Sequence, residues 1–138
     1  MTNEVKQDRP GNARFYPCPA AVTSGMPVLI GTMAAVALDA YDAVLLGTTF
    51  RFSGSFALTV VAASTQSPVS GETVSPGDEL FATGTLDTAT GVTYNLTIDK
   101  TRGNCPFGNL DQSTALVSGA TGTAVVKLKE GGSGPYAP

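Results

Sequence analysis

Val22-Thr23-Ser24-Gly25-Met26-Pro27-Val28-Leu29-Ile30-Gly31 decides how this chain is read. Ser24-Gly25 is a turn signal, and it feeds a short apolar strand over 28–30 that stops at Gly31. A related phrase returns fifty-two positions on, from Gly25 to Gly77, as Val74-Ser75-Pro76-Gly77-Asp78-Glu79-Leu80-Phe81-Ala82-Thr83-Gly84. In both places a Gly turn opens an apolar run and a second Gly closes it. Short runs bounded by such turns are the mark of β structure. The repeat admits a weak internal duplication. The simpler account is that Gly turns before strands are common.

Outward from this phrase the pattern stays β. Phe50 and Phe52 alternate with Thr49, Arg51 and Ser53, and Phe56, Leu58, Val60 and Ala62 alternate with Ala57, Thr59 and Val61. Gly54-Ser55 lies between them and predicts a type II′ hairpin over 48–63. The segment 92–98 alternates again, with Tyr94, Leu96 and Ile98 on one face, after a turn over 87–91. A last strand pair is expected over 115–118 and 123–129, with Ala124, Val126 and Leu128 facing in and Lys127 and Lys129 facing out. The loops are expected at 64–76, with a short strand at 72–74, and at 99–108. The segment 32–46 reads as two strands, over 33–38 and 43–46, with a helix over 33–45 as the alternative. Gly31 and Gly47 bracket it, and Asp39 and Asp42 suit turns.

The sum is an all-β fold: one small sandwich or barrel of about 8–10 short strands, jelly-roll or β-tulip-like. Three parts follow: an extended N-terminal arm over 1–19, a β domain over 20–130 and a flexible tail over 131–138. Pro10, Pro17 and Pro19 interrupt the arm, because each fixes φ and removes a donor. The arm lacks the apolar content to fold alone, so it is expected to lie on a partner. Packing back on its own domain is the alternative. Phe15 and Tyr16 are the candidate anchors, and Arg9 and Arg14 the candidate cations for partner carboxylates.

Composition narrows the function. Thr is the commonest polar residue, at eighteen, which suits strands. Charged residues are 14%, against a usual share of roughly 25%. A surface so poor in charge suggests burial in an assembly. The eight Lys and Arg are scattered and the net charge is −3, so no nucleic-acid partner is expected. No apolar run reaches the ~18 residues of a membrane span, so no membrane partner is expected either. Residues 1–6 show no signal-peptide pattern, which predicts synthesis and retention in a cytoplasm.

The chain contains no histidine. That removes the usual catalytic base and any Ser-His or Cys-His pair. No phosphate loop, dinucleotide fingerprint or nucleophile elbow is present. Asp78-Glu79 reads as turn and surface, since adjacent strand residues face opposite ways. Cys18 and Cys105 are expected to be free thiols in a reducing compartment. No enzyme, no metal and no cofactor is expected.

Four phrases taken together resemble a known family. They are Val22 to Gly31, then Gly77-Asp78-Glu79-Leu80-Phe81, then Leu86-Asp87-Thr88-Ala89-Thr90-Gly91, and a closing Thr123-Ala124-Val125-Val126-Lys127-Leu128. In order and spacing over 20–129 they are similar to the tailed-phage capsid cement, or decoration, proteins. The chain departs from that pattern in a longer 99–113 loop and in its arm and tail, so the family does not fix the mode of attachment. The resemblance implies a non-enzymatic protein of the virion. It would be made in the host cytoplasm, bind the outer face of the expanded capsid and clamp neighbouring major capsid subunits. It also implies a homo-oligomer, a trimer before a dimer. The rival class is a carbohydrate-binding or adhesion module, as in a head fibre. The pattern predicts a β-dominated circular dichroism spectrum; helix above about a third, the usual globular share, would contradict it.

Overall fold

The computed structural model describes residues 4–6, 13–64, 70–71, 73–102 and 104–129. Among these there are twelve strands and no helix. In chain order the strands are β1 (Glu4–Lys6), β2 (Ala13–Pro17), β3 (Pro27–Ile30), β4 (Met33–Ala37), β5 (Gly47–Arg51) and β6 (Ser55–Val61). Then come β7 (Ala63–Ser64), β8 (Ser70–Gly71), β9 (Glu79–Asp87), β10 (Val92–Asp99), β11 (Cys105–Leu110) and β12 (Thr121–Leu128). Ten of them form one sheet in the order β1-β6-β12-β11-β9-β10-β3-β4-β5-β2, and β7 pairs with β8. Every pairing is antiparallel. The sheet does not close, and β1 and β2 are its edges. It folds over on itself, so that β10 packs across on β6 and β4 on β11. The fold is all-β, as the period-2 pattern predicts.

Two hydrophobic cores lie within the fold, and the β3–β4 hairpin belongs to both. Leu29, Ala34 and Val36 join Phe56, Leu58, Val60, Leu80, Ile98, Phe107, Ala124, Val126 and Leu128 in the first core. Val28, Ile30, Ala35 and Ala37 face the other way, into a second core with Cys18, Val22, Phe50, Phe52 and Val92. A strand buried on both faces needs an unbroken apolar run rather than alternation. That is what Val28-Leu29-Ile30 and Ala34-Ala35-Val36-Ala37 supply. The alanines matter as much as the valines, since they let the layers on either side close in. Turn chemistry sets the entry. Met26 N–H donates to the Thr23 carbonyl across Gly25, whose φ is 83°, a type II geometry. Asp78 N–H and the Ser75 carbonyl make the same closure across Gly77, at φ 85°. Each turn starts a hairpin, β3–β4 and β9–β10. The likeness ends there, because β5 then adds to β4 whereas β11 adds to β9.

The long β9–β10 hairpin carries the sheet from one core to the other. Leu80, Ala82 and Ile98 reach the first core, while Val92 reaches the second with Tyr94 packed against it. Between them the register slips, from Tyr94 to Thr97, and Asn95 takes φ 53°. This bulge bends the ribbon. Gly84 lies opposite, where a Cβ would stand 2.4 Å from the Tyr94 carbonyl oxygen.

Several expectations from the pattern are corrected. The strands expected within 48–63 exist, but they are not a hairpin. β5 lies between β4 and β2, and β6 lies between β12 and β1. The linking residues Phe52 to Ser55 are buried, and the Leu128 N–H donates to the Gly54 carbonyl at 3.0 Å. The segment is a crossover between cores: Phe50 and Phe52 enter one, Phe56 and Leu58 the other. Residues 43–46 are a turn, not a strand, and 33–45 is not a helix. The expected loop over 99–108 contains the start of β11. Pro106 fits there because the register slips between it and Gly108, and at Gly108 a Cβ would meet the Lys127 carbonyl oxygen at 2.2 Å. Residues 115–118 make a single bridge, Leu116 to Val74, and β12 pairs with β6 and β11 instead. The short strand expected at 72–74 is that same bridge at Val74, and residue 72 lies outside the described residues. Within the expected arm two segments pack back on the domain's own sheet, the alternative that the pattern leaves open. Ala13–Pro17 is an edge strand on β5, and Glu4–Lys6 pairs with β6. Pro17 is tolerated because it ends a strand at the sheet edge. Arg9, Pro10 and the tail over 131–138 lie outside the described residues.

The bend at Gly84 leads to a direct test. Gly84→Ala forces a methyl into backbone, and overpacking of this kind costs about 1–3 kcal/mol. Gly122→Ala, whose Cβ would meet only Leu116 Cδ1 at 3.8 Å, serves as the control. The urea midpoint should fall for Gly84→Ala and hold or rise for Gly122→Ala; equal midpoints would contradict the bend.

Candidate functional site

The sheet edge at β2 carries three of the four sequence candidates, Arg14, Phe15 and Tyr16, and Arg9 lies outside the described residues. β2 pairs with β5 from Ala13↔Arg51 to Pro17↔Gly47, and its other side carries no strand among the described residues. An open edge presents backbone donors and acceptors to another chain. The strand's alternation then sorts the side chains. Arg14 and Tyr16 lie two apart on the side of the second core. Tyr16 is half-buried and meets Phe52 edge to face, with centroids 5.5 Å apart at 60°. The Arg14 guanidinium carbon stands 4.5 Å from the Phe52 centroid and 5.7 Å from that of Tyr16. Arg14 therefore roofs two aromatic rings, an interaction worth about 0.5–1 kcal/mol at an exposed site. Its charge is partly engaged within the domain, and Tyr16 is a structural contact more than an anchor.

Phe15 points the other way and is 45% exposed. Its ring reaches over Gly47, where a Cβ would stand 2.8 Å from Phe15 Cζ and 2.3 Å from the Tyr16 carbonyl oxygen. Gly47 is thus required for β2 to lie against β5. It also closes the turn from Asp42. The Asp42 N–H donates to the Gly47 carbonyl at 2.9 Å, and the Leu46 N–H to the Asp42 carbonyl at 2.7 Å. The Asp42 carboxylate accepts the Val44 and Leu45 N–H groups at 2.8 and 3.1 Å. Asp42 is a turn cap, as its residue type suggests. What the pattern missed is that the residues it caps, Val44, Leu45 and Leu46, stand exposed. The apolar run 43–46 reads as a strand in the sequence, although Asp42 and Gly47 around it are a legible turn signal.

A second polar feature lies elsewhere. Asp78, Glu79, Phe81, Lys100 and Arg102 line a cleft of about 200 Å³. The Asp78 carboxylate accepts the Ser75 N–H at 2.8 Å and Lys100 Nζ at 2.9 Å. These two partners, the backbone N–H first, hold its pKa below the ordinary carboxylate value. Lys100 Nζ also donates to the Thr73 carbonyl at 3.2 Å. The Asp78–Lys100 pair thus ties the Gly77 turn to the end of β10. Asp78 and Glu79 are turn and strand residues, and no carboxylate pair is assembled from them. Both cysteines are free. Cys18 lies in the second core and Cys105 against the first, and burial raises the pKa of both. Among the described residues no three His, Cys, Asp or Glu side chains are grouped to hold a metal.

No family model matches the chain, and no curated protein and no solved structure matches it. The reading of function therefore rests on the residues and on the sequence resemblance.

The Asp78 cap has a pH signature. Its folded pKa is depressed, so its stabilisation is present above the ordinary value of 3.8 and is lost as pH falls through the folded pKa. The pair is partly exposed, with side-chain exposures of 16% for Lys100 and 33% for Asp78. Asp78→Asn should therefore cost at most about 1 kcal/mol at neutral pH. Urea midpoints of the two proteins should converge as pH drops below 3.8. A gap that is the same at both pH values would contradict the cap.

Proposed function

We propose that the chain is a capsid cement protein: a non-enzymatic module that binds the outer face of an expanded phage head and clamps neighbouring major capsid subunits. The observation that carries it is the open β2 edge, with Phe15 exposed beside it on a rigid two-core domain. Such an edge binds by adding backbone hydrogen bonds to a partner strand while a side chain fills a pocket. The resemblance of the four phrases supports the same reading, as does the low charge. Binding only the expanded lattice stabilises that lattice by linkage. Many identical weak contacts then add by avidity. The domain acts as a homo-oligomer on the lattice, grouped in threes at local three-fold positions.

A carbohydrate-binding module is the weaker reading. Sugar rings stack on exposed aromatic faces, but Phe50, Phe52 and Phe56 are at most 5% exposed. They are core residues, and no Trp is present.

The test is to mix the purified chain with undecorated expanded heads and measure occupancy by density-gradient sedimentation and cryo-electron microscopy. Covering the remaining exposed part of Phe15, roughly 90 Å², is worth about 2 kcal/mol. Phe15→Ser should therefore lower the apparent affinity by about tenfold or more and leave the melting temperature nearly unchanged. Tyr16→Ala should lower the melting temperature instead. No binding of the intact chain to expanded heads, or binding to unexpanded heads equally well, would sink the proposal. Lone, well-separated copies would remove the three-fold placement.

A further inference from the structure

We infer that the Val44-Leu45-Leu46 turn is a plug that enters an apolar socket on the protein surface to which the domain attaches. This inference rests on the cement reading and names the contact that would anchor it. The three side chains are 87%, 62% and 61% exposed, the largest run of exposed aliphatics among the described residues. Single exposed apolar residues need no explanation, whereas a contiguous patch marks an interaction site. The patch continues into Phe15, whose ring lies over Gly47, the residue that follows the plug.

Its backbone is built to hold that exposure. Asp42 binds the N–H groups of Val44 and Leu45 through its side chain and that of Leu46 through its carbonyl. The Leu46 carbonyl accepts the Cys18 N–H at 3.3 Å, which ties the tip to the chain leaving β2. Leu46 itself sits at φ 62°. That left-handed conformation suits Gly or Asn, and a leucine there is strained. A turn that only reversed the chain would be better served by either. The leucine adds apolar surface to the tip at the expense of local stability, a pattern associated with functional sites. Because the turn is already fixed, little entropy is lost when it docks.

Shape, charge and area select the occupant. The tip is convex, and residues 43–47 carry no charge. The adjacent Asp42 carboxylate is occupied as the cap. A convex, uncharged tip fits a concave, uncharged pocket. The triplet and Phe15 together expose roughly 450 Å², against roughly 800 Å² per partner in a stable standard interface. That is too little to hold two copies together through this face in solution. It suffices for one contact among several on a lattice, beside the β2 edge. A lipid surface fits less well, since Asp39 and Asp42 flank the tip and the chain carries a net charge of −3, which anionic headgroups repel.

The experiment uses the full chain with Val44→Ser, Leu45→Ser and Leu46→Asn combined. Asparagine suits φ 62°, so the melting temperature should hold or rise. Val117→Ser, at a 71% exposed aliphatic elsewhere, is the control. Against expanded heads the triple variant should lose at least about tenfold in apparent affinity, while Val117→Ser should match the intact chain. If the intact chain and the triple variant decorate heads equally, the plug is wrong and the cement reading stands. If the intact chain does not decorate heads, the cement reading falls and the plug falls with it. Two further results would overturn the plug: self-association in analytical ultracentrifugation without heads that the triple variant abolishes, and binding to phosphatidylcholine vesicles that it abolishes. The first makes a second copy the occupant, the second a membrane.

Discussion

Burial of one β-hairpin on both faces is the constraint on which the rest depends. β3 and β4 send Leu29, Ala34 and Val36 one way and Val28, Ile30, Ala35 and Ala37 the other. Neither core could form without the hairpin between them. Each face must be covered, because apolar surface left in water forfeits the main favourable contribution to folding. The sheet therefore continues from both sides of the hairpin and folds over both faces. β10 continues it on one side and β5 on the other. The bend at Gly84 and Asn95, the buried crossover at Phe52 to Ser55 and the bulge at Pro106 all follow as ways of turning one sheet around two cores.

The same demand explains why the N-terminal segment is spent on the sheet's edges. β1 covers β6 and β2 covers β5, so both edge strands come from the first seventeen residues. Arg14 and Tyr16 then close the second core over Phe52. One strand thus has two duties on its two faces. The inward face completes a core, and the outward face offers Phe15 and an unpaired edge. Ionic groups such as Asp78 with Lys100, or Asp42 with the turn it caps, are committed to holding loops in place. The polar chemistry fixes geometry, and the exposed apolar groups are what the fixed geometry presents.

Much of this was legible in the residues. Alternation located β6, β10 and β12 and gave the inward faces of Phe56, Leu58 and Val60 and of Ala124, Val126 and Leu128. Gly25 and Gly77 marked their turns, because positive φ is cheap only for glycine. Phe15 reads as a candidate anchor from residue type and position, and only the folded chain shows that it stands 45% exposed. Pairing was not legible. Nothing in Phe50 to Val60 states that its two strands belong to different cores, since period-2 alternation reports a buried face and not which neighbour buries it. Pro106 and Gly108 read as loop because their fit depends on a bulge and on the Lys127 carbonyl of another strand. Val44, Leu45 and Leu46 read as strand because apolar residues are normally buried, and only the folded chain shows them at a turn tip.

Local physics, then, was determined by the sequence itself: the all-β class, the Gly25 and Gly77 turns and the two-faced apolar run of the central hairpin. These depend on backbone propensity and on periodicity, which act over a few residues. The tertiary structure alone decided which strands pair, that there are two cores rather than one, and that the N-terminal segment supplies both edges. It also decided which apolar residues remain outside. Those outcomes depend on contacts between residues far apart in the chain, and the relative free energies of competing pairings are set by the whole packed assembly.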